Sequence, residues 1–109
     1  MARSFDQLDE TNFDARVLGS SVPVLVDFTA TWCPPCRALE PVLESLAREQ
    51  AGKVSVVAVD GDATPSISNR FRVKAFPTIV AFAGGKEIGR IVGLTSKEKL
   101  LRMVAPQSG

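Results

Sequence analysis

The chain has 109 residues, of which 45% are hydrophobic and 23% charged, and its 13 basic and 12 acidic residues give a formal net charge of +1. A chain of this length can bury one continuous core without disulfide or metal cross-links, so we predict a single domain over residues 1–109. There is no block of basic residues and no apolar run approaching the ~18 residues of a membrane span, so we predict neither a nucleic-acid nor a membrane partner.

A short helix is predicted near the N-terminus. Residues 9–12 offer capping side chains, and Leu8, Phe13 and Val17 then recur at helical spacing until Gly19. We therefore expect the first helix to end at this glycine.

An apolar run precedes the two cysteines, and a helical pattern follows them. Residues 24–29 predict a strand, and apolar residues recur at helical spacing over residues 38–47. Pro34 and Pro35 suit a first helical turn, where the missing N–H groups would be unpaired in any case. The second helix is predicted to run to about Gln50.

The next segments predict a strand, a short helix and a hairpin. Residues 54–59 form an apolar, β-branched run typical of a strand covered on both faces, and a short helix begins at Thr64. Alternating strands and helices indicate a parallel core. Residues 78–83 and 87–92 flank the glycine-rich turn at 84–86, so we predict that the sheet ends with antiparallel strands.

A capping-box pattern predicts the last helix. Thr95 and Glu98 have the required spacing, in which the first side chain accepts a backbone hydrogen bond at the start of the helix. Leu100, Leu101 and Val104 would then face the core.

The pentapeptide WCPPC at residues 32–36 holds the only two cysteines and the only tryptophan. Two sulfurs at this spacing can close a small disulfide ring or open to a dithiol with little backbone movement, so the pair can exchange electrons with another disulfide. Cys33 lies where a strand ends and a helix begins, and the helix N-terminus there lowers the pKa of a cysteine. We predict that Cys33 attacks and that Cys36, one turn further in and more shielded, resolves.

Two other interpretations of the cysteines are weaker. A structural zinc site needs about four ligands, whereas the chain has no histidine and no third cysteine, so we predict no metal site. A static disulfide closing so short a ring would stabilise the fold only weakly. Residues 1–15 show no apolar run typical of a secretory signal, so we expect a cytoplasmic location, where a CxxC pair is more often catalytic.

Seven sequence pieces in order make the chain resemble the thioredoxin family over nearly its whole length. They are Asp27-Phe28, Ala30, Trp32 to Cys36, Pro41, Phe76-Pro77-Thr78, Gly84-Gly85 and Val92-Gly93. The resemblance implies an α/β thioredoxin fold: a central mixed five-stranded sheet, ordered β1-β3-β2-β4-β5 with strands numbered along the chain, flanked by four helices. It also implies a monomer without cofactor that reduces disulfide-containing protein substrates with electrons from thioredoxin reductase.

The resemblance also implies a surface for substrates around the cysteines. Pro77 should be cis, so that the Phe76 backbone can pair with a substrate strand beside Cys33; the alternative is an ordinary trans proline before an edge strand. Taken alone, each apolar residue of this surface would more often be a packing residue. The substrate-binding set implied by the family is Trp32, Pro34, Pro35, Ala75, Phe76, Pro77, Val92, Gly93 and Leu94.

Asp27 is the most informative residue outside the cysteines, because a carboxylate inside an apolar strand costs free energy unless it is paired or protonated. We predict that it accepts a proton from Cys36 through water. Alternatively, it is a structural residue that faces out of the sheet or caps a loop. The chain departs from many thioredoxins at Pro34, where the best-known bacterial members have glycine, and at Ala58, where many have a lysine near the buried carboxylate.

Three functions therefore compete. The prediction is a general cytosolic protein disulfide reductase. The alternatives are a specialised oxidoreductase, such as a donor for one enzyme, an oxidant or an isomerase, and a thioredoxin-like binding subunit whose chemistry is idle. Because both cysteines and Asp27 are present, the sequence argues against an idle subunit.

Overall fold

A computed structural model describes residues 5–105 and contains a five-stranded mixed sheet in the order β1-β3-β2-β4-β5, as the resemblance implied. Strands β1, β3 and β2 are mutually parallel, while β4 and β5 run antiparallel to their neighbours, so the predicted parallel core and antiparallel end are confirmed. The strands are β1 Asp6–Leu8, β2 Val24–Thr29, β3 Ser55–Asp60, β4 Thr78–Ala83 and β5 Lys86–Val92.

Four helices in the described part of the chain cover the two faces of the sheet. They are α1 Asp14–Leu18, which has π-helical hydrogen bonding, α2 Pro34–Glu49, α3 Pro65–Arg70 and α4 Lys97–Val104. Within residues 5–105, no helix has the length and apolar character needed to cross a membrane.

Alternation along the central strand β2 divides the core into two layers. Val24, Val26 and Phe28 pack in the layer that also holds apolar residues of α1 and α3, whereas Leu25 faces α2 and α4. Asp27 alternates with Leu25 and therefore points to the face covered by α2. The strand thus directs its one carboxylate toward the helix that begins at the cysteines.

Two local predictions are wrong. Leu8 lies in strand β1, not on the first helix, which begins only at Asp14. A three-residue edge strand with one buried side chain shows no readable alternation, so tertiary pairing with β3 decides it. The last helix is capped by Ser96, not by Thr95: the Lys99 N–H donates to Ser96 Oγ at 3.3 Å.

The hairpin prediction is confirmed. Gly84 and Gly85 form the two-residue turn between β4 and β5, with φ angles of 59° and 79°. Positive φ at both central positions is characteristic of the type I′ turn, whose twist matches the flanking strands. This turn holds β5, and the Val92 end that follows it, in register with β4.

Arg72 has a φ of 57°, in the left-handed region that disfavours a side chain with a Cβ. We expect Arg72→Gly to raise the free energy of unfolding by about 0.5–1 kcal/mol, since relief of this strain exceeds the added chain entropy of glycine. Urea denaturation measures the change. Arg72→Ala is the matched control: it removes the charge, keeps the Cβ and should change stability by less than about 0.5 kcal/mol. Equal stabilisation by both variants would refute the backbone explanation.

Candidate functional site

The two cysteines form a disulfide at the N-terminus of α2, with their Cα atoms 5.3 Å apart. Cys33 occupies the N-cap position, and the backbone N–H of Cys36 donates to Cys33 Sγ at 3.3 Å. Pro34 and Pro35 fill the first helical turn, as predicted. An N–H aimed at this sulfur would stabilise a thiolate there when the disulfide opens.

Burial does not separate the two sulfurs. Cys33 is 2% exposed and Cys36 is 1% exposed, so both are buried in this oxidised form and exposure does not test the prediction that Cys36 is the more shielded residue. Their surroundings do differ. Cys33 Sγ accepts the helical N–H and lies 3.7 Å from the Phe76 carbonyl oxygen.

The segment before β4 reaches Cys33 through its backbone. The Phe76–Pro77 peptide bond is cis, as the resemblance implied. Thr78 Oγ1 donates to the Ala75 carbonyl at 2.7 Å, and the Gly93 N–H donates to the Pro77 carbonyl at 2.8 Å. The second hydrogen bond joins Gly93 to the segment at residues 75–77, whose Phe76 carbonyl faces Cys33 Sγ, although both segments are far from the cysteine in sequence.

Apolar side chains are exposed next to Cys33 and on both sides of Gly93, which is hydrogen-bonded to Pro77. Trp32 is 61% exposed, Val92 62% and Leu94 59%. Large apolar side chains that are exposed together mark interaction sites in soluble proteins. We call the exposed or half-buried members of the predicted set the docking face: Trp32, Pro34, Pro35, Ala75, Phe76, Val92, Gly93 and Leu94. Pro77 is buried beneath this face, where it can support neighbouring residues but offers little surface to a partner.

The Trp32 side chain is fixed by contacts that sequence reasoning missed. Its indole N–H donates to Asp62 Oδ2 at 3.1 Å, and its ring meets the Phe76 ring edge-on, with centroids 6.2 Å apart. Asp62 lies thirty positions along the chain from Trp32. No local pattern in the sequence distinguishes Asp62 as a functional residue.

Trp32 should report the redox state by fluorescence, because it adjoins Cys33 and is the only tryptophan in a chain without tyrosine. We expect a clear change in emission intensity when the disulfide is reduced. Spectra of the oxidised and reduced protein at one pH measure it. Arg48→Ala, on the exposed side of α2, is the control and should keep the response. Identical spectra in both states would mean that the indole does not sense the disulfide.

Asp27 is 1% exposed, so its side chain does not face solvent. In the sheet it lies directly between Ala58 on β3 and Ile79 on β4. The residue at position 58, where many family members have lysine, is therefore an immediate neighbour of the carboxylate. Asp27 shares with Leu25 the face of the sheet that α2 covers, and Cys36 is a buried residue in the first turn of that helix.

Within residues 5–105, no group of three or more histidine, cysteine, aspartate or glutamate side chains lies close enough together to hold a metal ion.

Comparison with known proteins gives the same picture. The family model described as Thioredoxin matches residues 4–106. The thioredoxin of Mycolicibacterium smegmatis is 46% identical over 95 residues, covering 85% of each chain, and thioredoxin 1 of Nostoc sp. is 39% identical over 94 residues, covering 86% of this chain and 88% of its own. A bifunctional thioredoxin reductase/thioredoxin of Mycobacterium leprae is 45% identical over 96 residues, which cover 88% of this chain but only 21% of that relative.

Proposed function

The chain belongs to the thioredoxin family, and from that membership we propose that it is a general protein disulfide reductase in which Cys33 is the nucleophile and Cys36 the resolving thiol. It is a thiol–disulfide oxidoreductase with a redox-active cysteine pair. The observation that carries the proposed roles is the position of Cys33 Sγ, which receives the helical N–H and faces the Phe76 carbonyl.

The reaction proceeds in two exchanges. The Cys33 thiolate attacks one sulfur of the substrate disulfide, so a mixed disulfide forms and the other substrate sulfur leaves as a thiolate that takes up a proton. Cys36 then loses its proton and attacks Cys33, and the second substrate sulfur leaves as a thiol. Two electrons and two protons pass to the substrate, and the Cys33–Cys36 disulfide is the product on this chain.

Asp27 is proposed as the acceptor for the proton that Cys36 must lose in the second exchange. Asp27 is buried on the face of the sheet that α2 covers, and α2 begins at the cysteines. This position supports the role. A positioned base reached through one water can contribute roughly 10²–10⁴-fold to a proton-transfer step. The carboxylate is thus proposed to speed resolution and not the first attack.

The docking face is proposed to bind the substrate chain around Cys33. An extended substrate segment would pair with the Phe76 backbone, and its apolar side chains would cover Trp32, Val92 and Leu94. The exposure of these three side chains supports the proposal.

The proposed electron donor is thioredoxin reductase, and the proposed compartment is the cytoplasm. The name of the M. leprae relative joins the two activities in one chain, which supports a partnership between them. A reducing compartment also suits a cysteine pair that must return to the dithiol form after each turnover. We propose a monomer that acts on protein disulfides.

Reduction of insulin with and without thioredoxin reductase and NADPH tests this function. We expect turnover with the complete system and none for a Cys33→Ser/Cys36→Ser variant. Turnover of one enzyme's disulfide but not of insulin would favour a specialised donor, and net oxidation of a reduced substrate would favour an oxidant. Absence of all exchange in the folded protein would leave only the binding subunit.

A further inference from the structure

Gly61 lies directly under the Phe76 ring. A Cβ added to Gly61 would lie 2.3 Å from Phe76 Cε1, 2.6 Å from Phe76 Cζ and 2.7 Å from Ser68 Oγ, all closer than a methyl group can approach. The conformation of Gly61 is not the reason for a glycine here, since its φ lies outside the left-handed region. The reason is close approach: only glycine leaves room for the ring.

The loop that contains Gly61 is itself fixed on both sides. The Gly61 N–H donates to the Thr29 carbonyl at the end of β2 at 2.8 Å, and the Gly61 carbonyl accepts from Ser68 Oγ at 3.1 Å. The next residue, Asp62, accepts the Trp32 indole hydrogen bond. One short loop therefore supports both aromatic residues that flank Cys33.

The position of the Phe76 ring can affect the reaction because the backbone of the same residue lies beside Cys33. The Phe76 carbonyl lies 3.7 Å from Cys33 Sγ, and the ring is the half-buried end of the same residue. If the ring cannot enter the space above Gly61, it must rotate outward and lose its edge contact with Trp32, or the backbone at residues 75–77 must move. Either change alters the surface that a substrate chain meets beside the sulfur.

We propose that Gly61 is a positioning residue for protein substrates: the Phe76 ring occupies the space above its Cα, and this sets the position of residues 75–77, the docking segment, relative to Cys33. The inference rests on the proposed reductase function. It assigns Gly61 no contact with substrate and no part in the exchange of electrons.

The test compares a protein substrate with a small disulfide that needs no docking segment. We expect Gly61→Ala to lower the ratio of kcat/KM for insulin to the rate constant for dithiobis(nitrobenzoate) by about tenfold, mainly through KM, because a small misplacement of a positioning group costs this much or more. Ser68→Ala is the matched control. It loosens the same loop by removing the hydrogen bond to the Gly61 carbonyl but leaves the space for the ring open, so the ratio should stay as in the parent protein.

A double-mutant cycle separates positioning from general destabilisation. In a Phe76→Ala background there is no ring to displace, so adding Gly61→Ala should change the ratio by less than twofold. If Gly61→Ala fails to fold alone, the ratio is compared between Phe76→Ala and Gly61→Ala/Phe76→Ala, and a difference of more than twofold between them would overturn the proposal. An unchanged ratio in Gly61→Ala, an equal fall in both backgrounds, or no fall in Phe76→Ala would each overturn the proposal.

The two proposals fail in different ways. If the parent protein reduces insulin but Gly61→Ala does so with the same ratio, the positioning role is wrong and the reductase function stands. If the parent protein reduces neither substrate, the reductase function itself is wrong.

Discussion

Cys36→Ser should accumulate a covalent complex with a disulfide substrate, whereas Cys33→Ser should form none and should lower disulfide reduction to the uncatalysed background. A mixed disulfide persists only when the attacking thiol is present and the resolving thiol is missing. The structure favours Cys33 as the attacker because the Cys36 N–H donates to its sulfur and because it faces the docking segment. Non-reducing gels of each variant, incubated with an oxidised protein substrate, measure the complex.

Two controls make the trapping result specific. Addition of dithiothreitol should release the complex, and the double variant Cys33→Ser/Cys36→Ser should show no complex at all. The reverse pattern, with accumulation in Cys33→Ser and none in Cys36→Ser, would exchange the two roles.

Asp27→Ala should raise the free energy of unfolding at pH 8 by about 1–3 kcal/mol and slow disulfide exchange by about 10²-fold. The side chain is 1% exposed between Ala58 and Ile79. Removing the carboxylate removes the desolvation cost of a buried charge, and Ala58, its neighbour on β3, supplies no opposite charge to offset that cost. Such a residue would be retained for chemistry at a cost in stability.

The effect of Asp27→Ala on the free energy of unfolding should depend on pH. Burial favours the protonated carboxyl group, so the folded protein should release the Asp27 proton at a higher pH than the unfolded chain, which releases it near pH 3.9. Between these two pH values the folded state binds more protons, so the stability of the parent protein falls as pH rises, and the loss persists at neutral pH. The gain from Asp27→Ala should therefore be larger at pH 8 than at pH 4.

Urea denaturation at the two pH values decides the matter, with Asp27→Asn as a matched variant that removes the charge but keeps the shape. Greater destabilisation by Asp27→Ala at pH 8 than at pH 4 would identify the carboxylate as a paired structural group. Its proposed role as proton acceptor would then fail.

The sequence alone determined the chemistry and most of the sheet. The two cysteines at CxxC spacing, in a chain without histidine, leave disulfide exchange as the chemistry to expect, because reactivity here depends on residue type and local spacing. Strands β2, β3, β4 and β5 and the hairpin were predictable because apolar runs and paired glycines are local signals. The family resemblance supplied the strand order and the cis peptide bond before Pro77, which local patterns do not contain.

Only the tertiary structure decided the contacts made by loops and edges. Strand β1 was missed because a three-residue edge strand forms by pairing with β3 and not by its own propensity. The Phe76 ring packs on Gly61, 15 positions earlier in the chain, and Trp32 donates a hydrogen bond to Asp62, 30 positions later. Such contacts depend on how strands and helices pack, which sets where each loop lies. For that reason the sequence alone does not identify Gly61 and Asp62 as residues that support the docking face.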